Sequence, residues 1–249
     1  MMTPWVLRLI LANVVVYLVT MARPDLFLLF MLLPKYVFSR PWTPVTYMFL
    51  HGGFGHLLFN MLGLYFFGPR LEYRLGGRHF LGLYFASGIM GALLSFLTPH
   101  SAIVGASGAV FGVFLGFALY WPRERVYIWG LFPIEARVLV VVMTVLALYG
   151  GFSGARGGIA HFAHLGGFAG GFLYLKWAAW ASPAARFKRR ARAPSVRTGD
   201  LQRWAGIRRE DIHPVNRQEL DRVLKKIEVT GVASLTEDER AFLNRFSTG

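Results

Sequence analysis

The chain has few charged residues and no cysteine. Charged side chains account for 16% of the 249 residues, whereas 55% of the residues are apolar. A soluble domain of this length would need many more charges to cover its surface. The lack of cysteine excludes disulfides, thiolate nucleophiles and cysteine-based zinc sites. The scarcity of charge favours a protein that faces lipid over much of its length.

Acidic residues are particularly scarce before Ser182. Only four of the thirteen lie there, namely Asp25, Glu72, Glu124 and Glu135. The net charge of +14 is also typical of nucleic-acid-binding proteins, but the basic residues of this region stand at the ends of apolar runs, as they do beside membrane spans. We therefore expect no nucleic acid partner. We expect a membrane domain over residues 1–181, and a basic linker with a helical cytoplasmic tail over residues 182–249.

Six apolar runs approach the roughly 20 residues that a helix needs to cross a bilayer. They cover Trp5–Ala22, Gly55–Gly68, Phe80–Leu97, Gly105–Trp121, Ala136–Gly151 and Ile159–Trp180. An even number of spans puts both termini on one side. Lysine and arginine are concentrated on the side that holds both termini, so the positive-inside rule predicts that the termini are cytoplasmic. The sequence thus predicts an all-α membrane protein, a six-helix bundle in the lipid bilayer.

The tail contains two patterns typical of short helices. Asn216 with Glu219, and Thr236 with Glu239, have the spacing of a capping box. Gly231 lies between the two patterns and suits the turn that would join the helices. The tail is therefore predicted to be a small helical module.

Four polar side chains lie inside the apolar runs, where each is energetically costly. They are His56 and Asn60 in the second run, Ser107 in the fourth and His164 in the sixth. In the topology above, these three spans all run inward from the outer face, and the four residues lie within about their first two turns. At a rise of about 1.5 Å per residue, they should share one depth below the outer surface.

Glycines on the fourth and sixth runs indicate how these residues come together. Gly108 and Gly112 lie four residues apart on the fourth run, and Gly167 and Gly171 have the same spacing on the sixth. Such stripes let two helices approach at backbone distance, which would bring the serine hydroxyl towards the histidine imidazole. Glycine stripes alone more often reflect packing without chemistry. A serine and a histidine at matching depth favour a functional site.

The four polar residues suit acyl transfer. A serine hydroxyl becomes a strong nucleophile when a base takes its proton, and histidine is a suitable base near neutral pH. Because no Asp or Glu lies in the core of any span, Ser107 and His164 are predicted to act as a dyad without a third, carboxylate member. His56 and Asn60 lie one turn apart on one helical face. With the Ser107 N–H, their side chains could donate hydrogen bonds to an oxyanion.

These residues resemble the motifs of the rhomboid family of intramembrane serine proteases, over roughly Trp42 to Gly171 plus the first span. The matching elements are Gly105-Ala106-Ser107-Gly108, then Ala163-His164-Leu165-Gly166-Gly167 with Gly171, then His51 with His56 and Asn60, and Glu72 with Arg74 and Gly76. The resemblance implies that Ser107 is the nucleophile and His164 the base, and that His56 and Asn60 line the oxyanion hole. It also implies single-span membrane proteins as substrates, and we expect the inner membrane of a bacterium as the location.

Other interpretations remain open at this point. His51, His56, His161 and His164 could bind a metal or haem, but no carboxylate accompanies them, and we expect no metal and no cofactor. The chain could also be a non-catalytic rhomboid-like protein that binds membrane helices, although the intact serine and histidine argue against it. The family's Trp-Arg pair in the first loop is replaced by Arg40-Pro41-Trp42, which leaves the anchoring of that loop open.

Overall fold

The computed structural model describes residues 2–128, 131–152, 159–190 and 198–247. The chain divides into two compact units, Met1–Trp180 and Ala181–Gly249. This division lies next to the boundary at residue 181 that the charge distribution predicts. Each unit has a hydrophobic core of its own.

The first unit has a helix at each of the six predicted apolar runs. In the described residues these are α1 (Pro4–Ala22), α2 (Phe54–Leu75), α3 (Gly77–Leu94), α4 (Ser107–Tyr120), α5 (Ala136–Phe152) and α6 (Ile159–Ala181). Shorter helical segments cover Pro24–Phe30, Pro34–Tyr36, Thr43–Thr46, Tyr47–Phe49 and Ser95–Leu97. Within the described residues, two helices, Pro4–Ala22 and Gly77–Leu97, are long and apolar enough to cross a membrane. The six-span topology stays a prediction.

A β-hairpin between α4 and α5 departs from the all-α prediction. Strand β1 (Arg125–Ile128) pairs antiparallel with β2 (Phe132–Glu135), with Arg125 opposite Glu135. The segment contains Val126, Tyr127, Ile128 and Phe132, and β-branched and aromatic residues of this kind favour strands. These residue preferences explain two short strands in a unit that is otherwise mostly helical.

Helix α4 forms the centre of the first unit. Nine of its fourteen residues are buried, among them three glycines. In contrast, α1 leaves Leu11, Val15 and Leu18 more than half exposed. This difference fits a central helix surrounded by protein and a peripheral helix with one apolar face available to lipid.

The first loop is anchored although its Trp-Arg pair is reversed. Arg40 Nη1 donates to the Leu28 carbonyl at 2.9 Å, and Trp42 Nε1 donates to the Leu29 carbonyl at 3.2 Å. Thr46 Oγ1 donates to the Phe30 carbonyl at 2.8 Å. These three donors satisfy carbonyl groups at the end of Pro24–Phe30, where a helix leaves acceptors without intrahelical partners.

A buried carboxylate joins α2 to α1. Glu72, in the last turn of α2, accepts hydrogen bonds from Thr3 Oγ1 at 2.5 Å, Val6 N at 2.9 Å and Trp5 N at 3.2 Å. The first N–H groups of a helix lack intrahelical partners, and negative charge is favourable there. Glu72 therefore caps α1 from another helix. Gly76 ends α2 next to it with a φ of 78°, in the left-handed region that favours glycine.

The second unit is a small helical module. Its helices are α7 (Pro183–Arg190), α8 (Thr198–Ala205), α9 (Pro214–Thr230) and α10 (Glu237–Phe246), with shorter turns at Arg209–Asp211 and Val232–Ser234. The buried apolar side chains are those of Trp204, Ile212, Leu220, Val223, Leu235 and Leu243. The indole N–H of Trp204 donates to Asn244 Oδ1 at 2.8 Å, so α8 is tied to α10 by a polar contact as well as by this core.

One of the two predicted capping boxes is present. Thr236 caps α10, with both reciprocal hydrogen bonds to Glu239 formed. The prediction at Asn216 was wrong, because α9 begins earlier, at Pro214, whose fixed φ suits the first helical position. Gly231 ends α9 with a φ of 80°, as its predicted place in the turn requires.

We predict that Glu72→Ala lowers the stability of the first unit by about 1–3 kcal/mol, because it leaves buried donors of α1 without an acceptor. The measurement is thermal unfolding in detergent micelles. The matched control is Glu135→Ala, since Glu135 forms an exposed pair with Arg137, and such pairs contribute little. Equal melting temperatures for the two variants would contradict this assignment.

We also predict that the backbone amides of α10 lose protection against hydrogen exchange in acid. Hydrogen bonds from Lys226, and then from the Thr236 backbone and Arg222, lower the pKa of Glu239 from its ordinary 4.5 to about 2. A carboxyl with a lowered folded-state pKa stabilises the fold above its unfolded value, and this contribution is lost as pH falls from about 4.5 towards 2. Hydrogen exchange of residues 237–246 in the full chain should accelerate over this window. Glu239→Gln should remove most of the pH dependence; an unchanged profile in that variant would refute the explanation.

Candidate active site

Ser107 is the first residue of α4, and the turn before it requires glycine. Gly105 has a φ of 116°, in the left-handed region, and a Cβ there would lie 2.6 Å from the His56 ring. The Gly105 N–H donates to the Tyr47 carbonyl at 2.9 Å, which fixes the turn. The serine hydroxyl therefore stands at the start of a helix, and its own N–H is one of the groups that the helix leaves unpaired.

His164 lies on α6 with its ring directed at the serine. His164 Nε2 is 2.9 Å from Ser107 Oγ, a hydrogen-bonding distance. The ring of Phe111 stacks on the imidazole, with centroids 4.0 Å apart and an interplanar angle of 16°. Phe111 thus holds the plane of the histidine ring. The closeness that the glycine stripes predict for the serine and the histidine is present.

The glycines of α4 and α6 pack against each other. A Cβ on Gly167 would overlap the Gly108 carbonyl oxygen, and a Cβ on Gly171 would lie 3.0 Å from Gly112 Cα. A Cβ on Gly108 would in turn lie 3.2 Å from the Ala163 carbonyl oxygen. The two backbones are thus in close contact along this stripe, and at Gly167 a larger residue would have to displace one helix.

The other face of α6 packs in the same way on α3. A Cβ on Gly166 would lie 2.5 Å from the Met90 carbonyl oxygen, and one on Gly170 would lie 2.7 Å from the Ala86 carbonyl oxygen. Helix α6 is therefore wedged between α3 and α4. This position leaves His164 little freedom to move away from the serine.

His56 and Asn60 line the same cavity as the serine and the histidine. The cavity has a volume of about 590 Å³, and its wall includes all four predicted site residues. Asn60 is buried, and its Nδ2 donates to the His56 carbonyl at 2.9 Å, within α2. The structure thus brings together Ser107, His164, His56 and Asn60, which come from three helices far apart in the sequence.

The two other histidines of this region lie beside the four residues. The His51 ring is buried and packs edge-on against His56, with centroids 5.1 Å apart. The His161 ring lies 6.4 Å from that of His164, and a Cβ on Gly150 would overlap it, so it packs against α5. Over the ranges that the structure describes, no three His, Asp or Glu side chains are grouped as a metal site would require.

Sequence reasoning missed Tyr47 as part of the site. Its side chain is buried, and its hydroxyl donates to the Gly88 carbonyl of α3 at 2.7 Å. The same hydroxyl would lie 3.0 Å from a Cβ on Gly91 and 3.3 Å from one on Gly108. Tyr47 therefore fills the space between the glycines of α3 and α4. No motif marks it, because its role arises from glycines on two other helices, α3 and α4.

Two parts of the chain match known protein families. Residues 39–180 match a family model described as the rhomboid domain, and residues 214–249 match a family of unknown function. The chain is 40% identical over 134 residues to RHOMBOID-like protein 4 of Arabidopsis thaliana. It is 38% identical over 134 residues to the putative rhomboid protease YdcA, and 37% identical over 132 residues to the rhomboid protease GluP, both of Bacillus subtilis.

These similarities cover parts of each protein. Each match spans 53% of this chain, and it spans 32% of RHOMBOID-like protein 4, 64% of YdcA and 25% of GluP. The rhomboid model covers residues 39–180 of the first unit, and these residues include the serine and the histidine. The second unit lies outside the rhomboid match.

We predict that Gly167→Ala lowers stability by about 1–3 kcal/mol, because the added methyl group overlaps the Gly108 carbonyl and forces α4 and α6 apart. The control is Gly55→Ala, where a Cβ meets no atom within 4 Å. Thermal unfolding of both variants checks this. If Gly167→Ala melts at the same temperature as Gly55→Ala, the close packing described above is wrong.

Proposed function

The chain belongs to the rhomboid family, and from that membership we propose that it is an intramembrane serine protease with a dyad of Ser107 and His164. The observation that carries the proposal is the 2.9 Å separation of His164 Nε2 and Ser107 Oγ in a cavity that His56 and Asn60 also line. The family is membrane-embedded, and two of its members above are named proteases.

The geometry supports the following acyl transfer. Ser107 Oγ attacks the carbonyl carbon of the scissile peptide while His164 Nε2 takes the hydroxyl proton. The carbonyl oxygen becomes an oxyanion, and the C–N bond breaks when the histidine returns the proton to the leaving amine. This leaves an acyl-enzyme on Ser107. Water, with His164 again as the base, then hydrolyses the ester and releases the new carboxyl terminus.

The oxyanion would form at the start of α4. The Ser107 N–H, the His56 ring and the Asn60 amide are the proposed donors, and each such donor lowers the barrier by roughly 3–4 kcal/mol. The positive end of the α4 dipole adds to their effect. Asn60 already donates to the His56 carbonyl, so it also holds the turn of α2 on which His56 stands.

A dyad without a carboxylate needs another means of orienting the imidazole. In catalytic triads an aspartate does this. Here Phe111 stacks on one face of His164, and the glycine contacts of α6 fix the helix that carries it. We propose that packing sets the ring orientation that a carboxylate would otherwise set.

We propose that the substrates are single-span membrane proteins, which reach the site from the lipid between α2 and α5. The cavity is bordered there by Phe59 and Leu62 of α2 and by Leu139 and Met143 of α5. Helix α5 leaves several branched side chains exposed, including Val141 and Val145, which supports its role as the movable side of the entrance. We further propose the bacterial inner membrane as the location, with both termini cytoplasmic.

Ser107→Ala and His164→Ala should each abolish cleavage of a single-span substrate in liposomes, because each removes one half of the dyad. His56→Ala should slow cleavage by roughly a hundredfold or more, through the loss of one oxyanion donor. Ser39→Ala is the matched control, since Ser39 is exposed and its hydroxyl donates to a backbone carbonyl of the first loop; it should retain full activity. Cleavage by Ser107→Ala at the unmodified rate would refute the nucleophile assignment. Absence of cleavage by the unmodified protein would instead favour a non-catalytic protein that binds membrane helices.

A further inference from the structure

The site cavity continues away from Ser107 as a second cavity of about 660 Å³. The two share five apolar lining residues, Phe59, Leu62, Phe66, Phe67 and Val126. Together they form one groove, here called the α2–hairpin groove, which runs from the serine and the histidine to the β-hairpin. Its walls are mostly aromatic and aliphatic, so they suit an apolar helix.

The end of this groove that lies remote from Ser107 is charged. It is lined by Arg70, Glu124 and Arg125. Arg70 Nη1 pairs with Glu124 Oε2 at 3.0 Å, and its guanidinium also lies over the Trp121 ring at 4.3 Å. Arg70 and Glu124 therefore neutralise each other, and Arg70 is held in place by an aromatic face.

Arg125 supplies the remaining charge at this end. The nearest acidic residue across the hairpin is Glu135, which stands opposite Arg125. Glu135 is already paired with Arg137 at 2.7 Å. Among the ion pairs of the described residues, Arg125 takes part in none, and its side chain is exposed at the mouth of the groove. An apolar groove thus ends at one uncompensated cation.

The length of the groove sets where this cation would meet a bound helix. Helix α4 runs beside it from Ser107 to Tyr120, and thirteen steps of about 1.5 Å correspond to about 20 Å. Arg125 begins the hairpin shortly after the end of α4. A substrate helix parallel to α4 would therefore bring a residue about 13–16 positions beyond the scissile bond to Arg125.

We propose that Arg125 is a specificity-determining residue, which selects single-span substrates with an acidic side chain about 13–16 residues after the scissile bond. This inference rests on the proposed protease function and specifies its substrate class. Arg125 would attract a substrate that has an acidic side chain at this position and repel a substrate that has a basic one. The partner is thus an apolar helix followed by a carboxylate.

The test uses two single-span substrates in liposomes, identical except for a glutamate or a lysine at this position. The full-length protein should cleave the glutamate substrate at least about threefold faster in direct competition, the size expected of one exposed ion pair. The preference should shrink in high salt, which screens such pairs. Arg125→Glu should reverse the preference, and the matched control Arg123→Glu, two residues away and outside the groove lining, should keep it.

The outcomes separate this inference from the proposed function. Equal cleavage of both substrates by the unmodified protein, or an unchanged preference in Arg125→Glu, overturns the role of Arg125 and leaves the protease function standing. A reversal in Arg123→Glu as well as in Arg125→Glu would show a general surface charge effect and would also overturn it. If no substrate is cleaved at all, the proposed function fails, and this inference fails with it.

Discussion

The close approach of α4 and α6 is the constraint on which the rest of the first unit depends. A Cβ on Gly167 would overlap the Gly108 carbonyl oxygen, and a Cβ on Gly108, Gly112 or Gly171 would lie 3.0–3.2 Å from the facing backbone. Helices in a bilayer gain little hydrophobic free energy from association, so such close packing and its van der Waals contacts must hold them together. The same contact sets the distance between the serine hydroxyl and the imidazole.

Several other features serve this contact. Tyr47 fills the space between α3 and α4 and is tied to α3 through its hydroxyl. Gly105 takes the positive φ that lets the chain turn into α4 directly beside His56. Phe111 holds the histidine plane from the side. In the proposed dyad, packing and backbone geometry would take over the positioning for which a water-soluble serine protease uses a buried carboxylate. Such an ion is costly to place within a membrane.

Much of the site could be predicted from the sequence because topology and helical rise fix depth. In the predicted topology, three spans run inward and carry polar residues in their first turns, which places those residues in one layer. Glycine spacing then identifies the faces that meet. Helix α4 begins at Ser107 because Gly105, two residues earlier, forms the turn that precedes the helix. The capping box at Thr236 could also be predicted from the sequence, because both of its partners lie within one helical turn.

The remaining features depend on contacts that no local pattern encodes. The hairpin at Arg125–Ile128 and Phe132–Glu135 is too short for its period to be distinguished from a loop. Glu72 caps a helix about seventy residues away in the sequence, and the role of Tyr47 arises from glycines on two other helices. The capping-box spacing at Asn216 gave a wrong prediction, because Pro214 starts the helix two residues earlier.

The central claim is that Ser107 is activated by His164, and covalent labelling tests it most directly. The full-length protein should be treated with a fluorophosphonate, digested and mapped by mass spectrometry. The account predicts one phosphonylated serine, at Ser107, and no adduct at that position in His164→Ala. An adduct at another serine, or labelling of Ser107 that persists at an equal rate without the histidine, would contradict it.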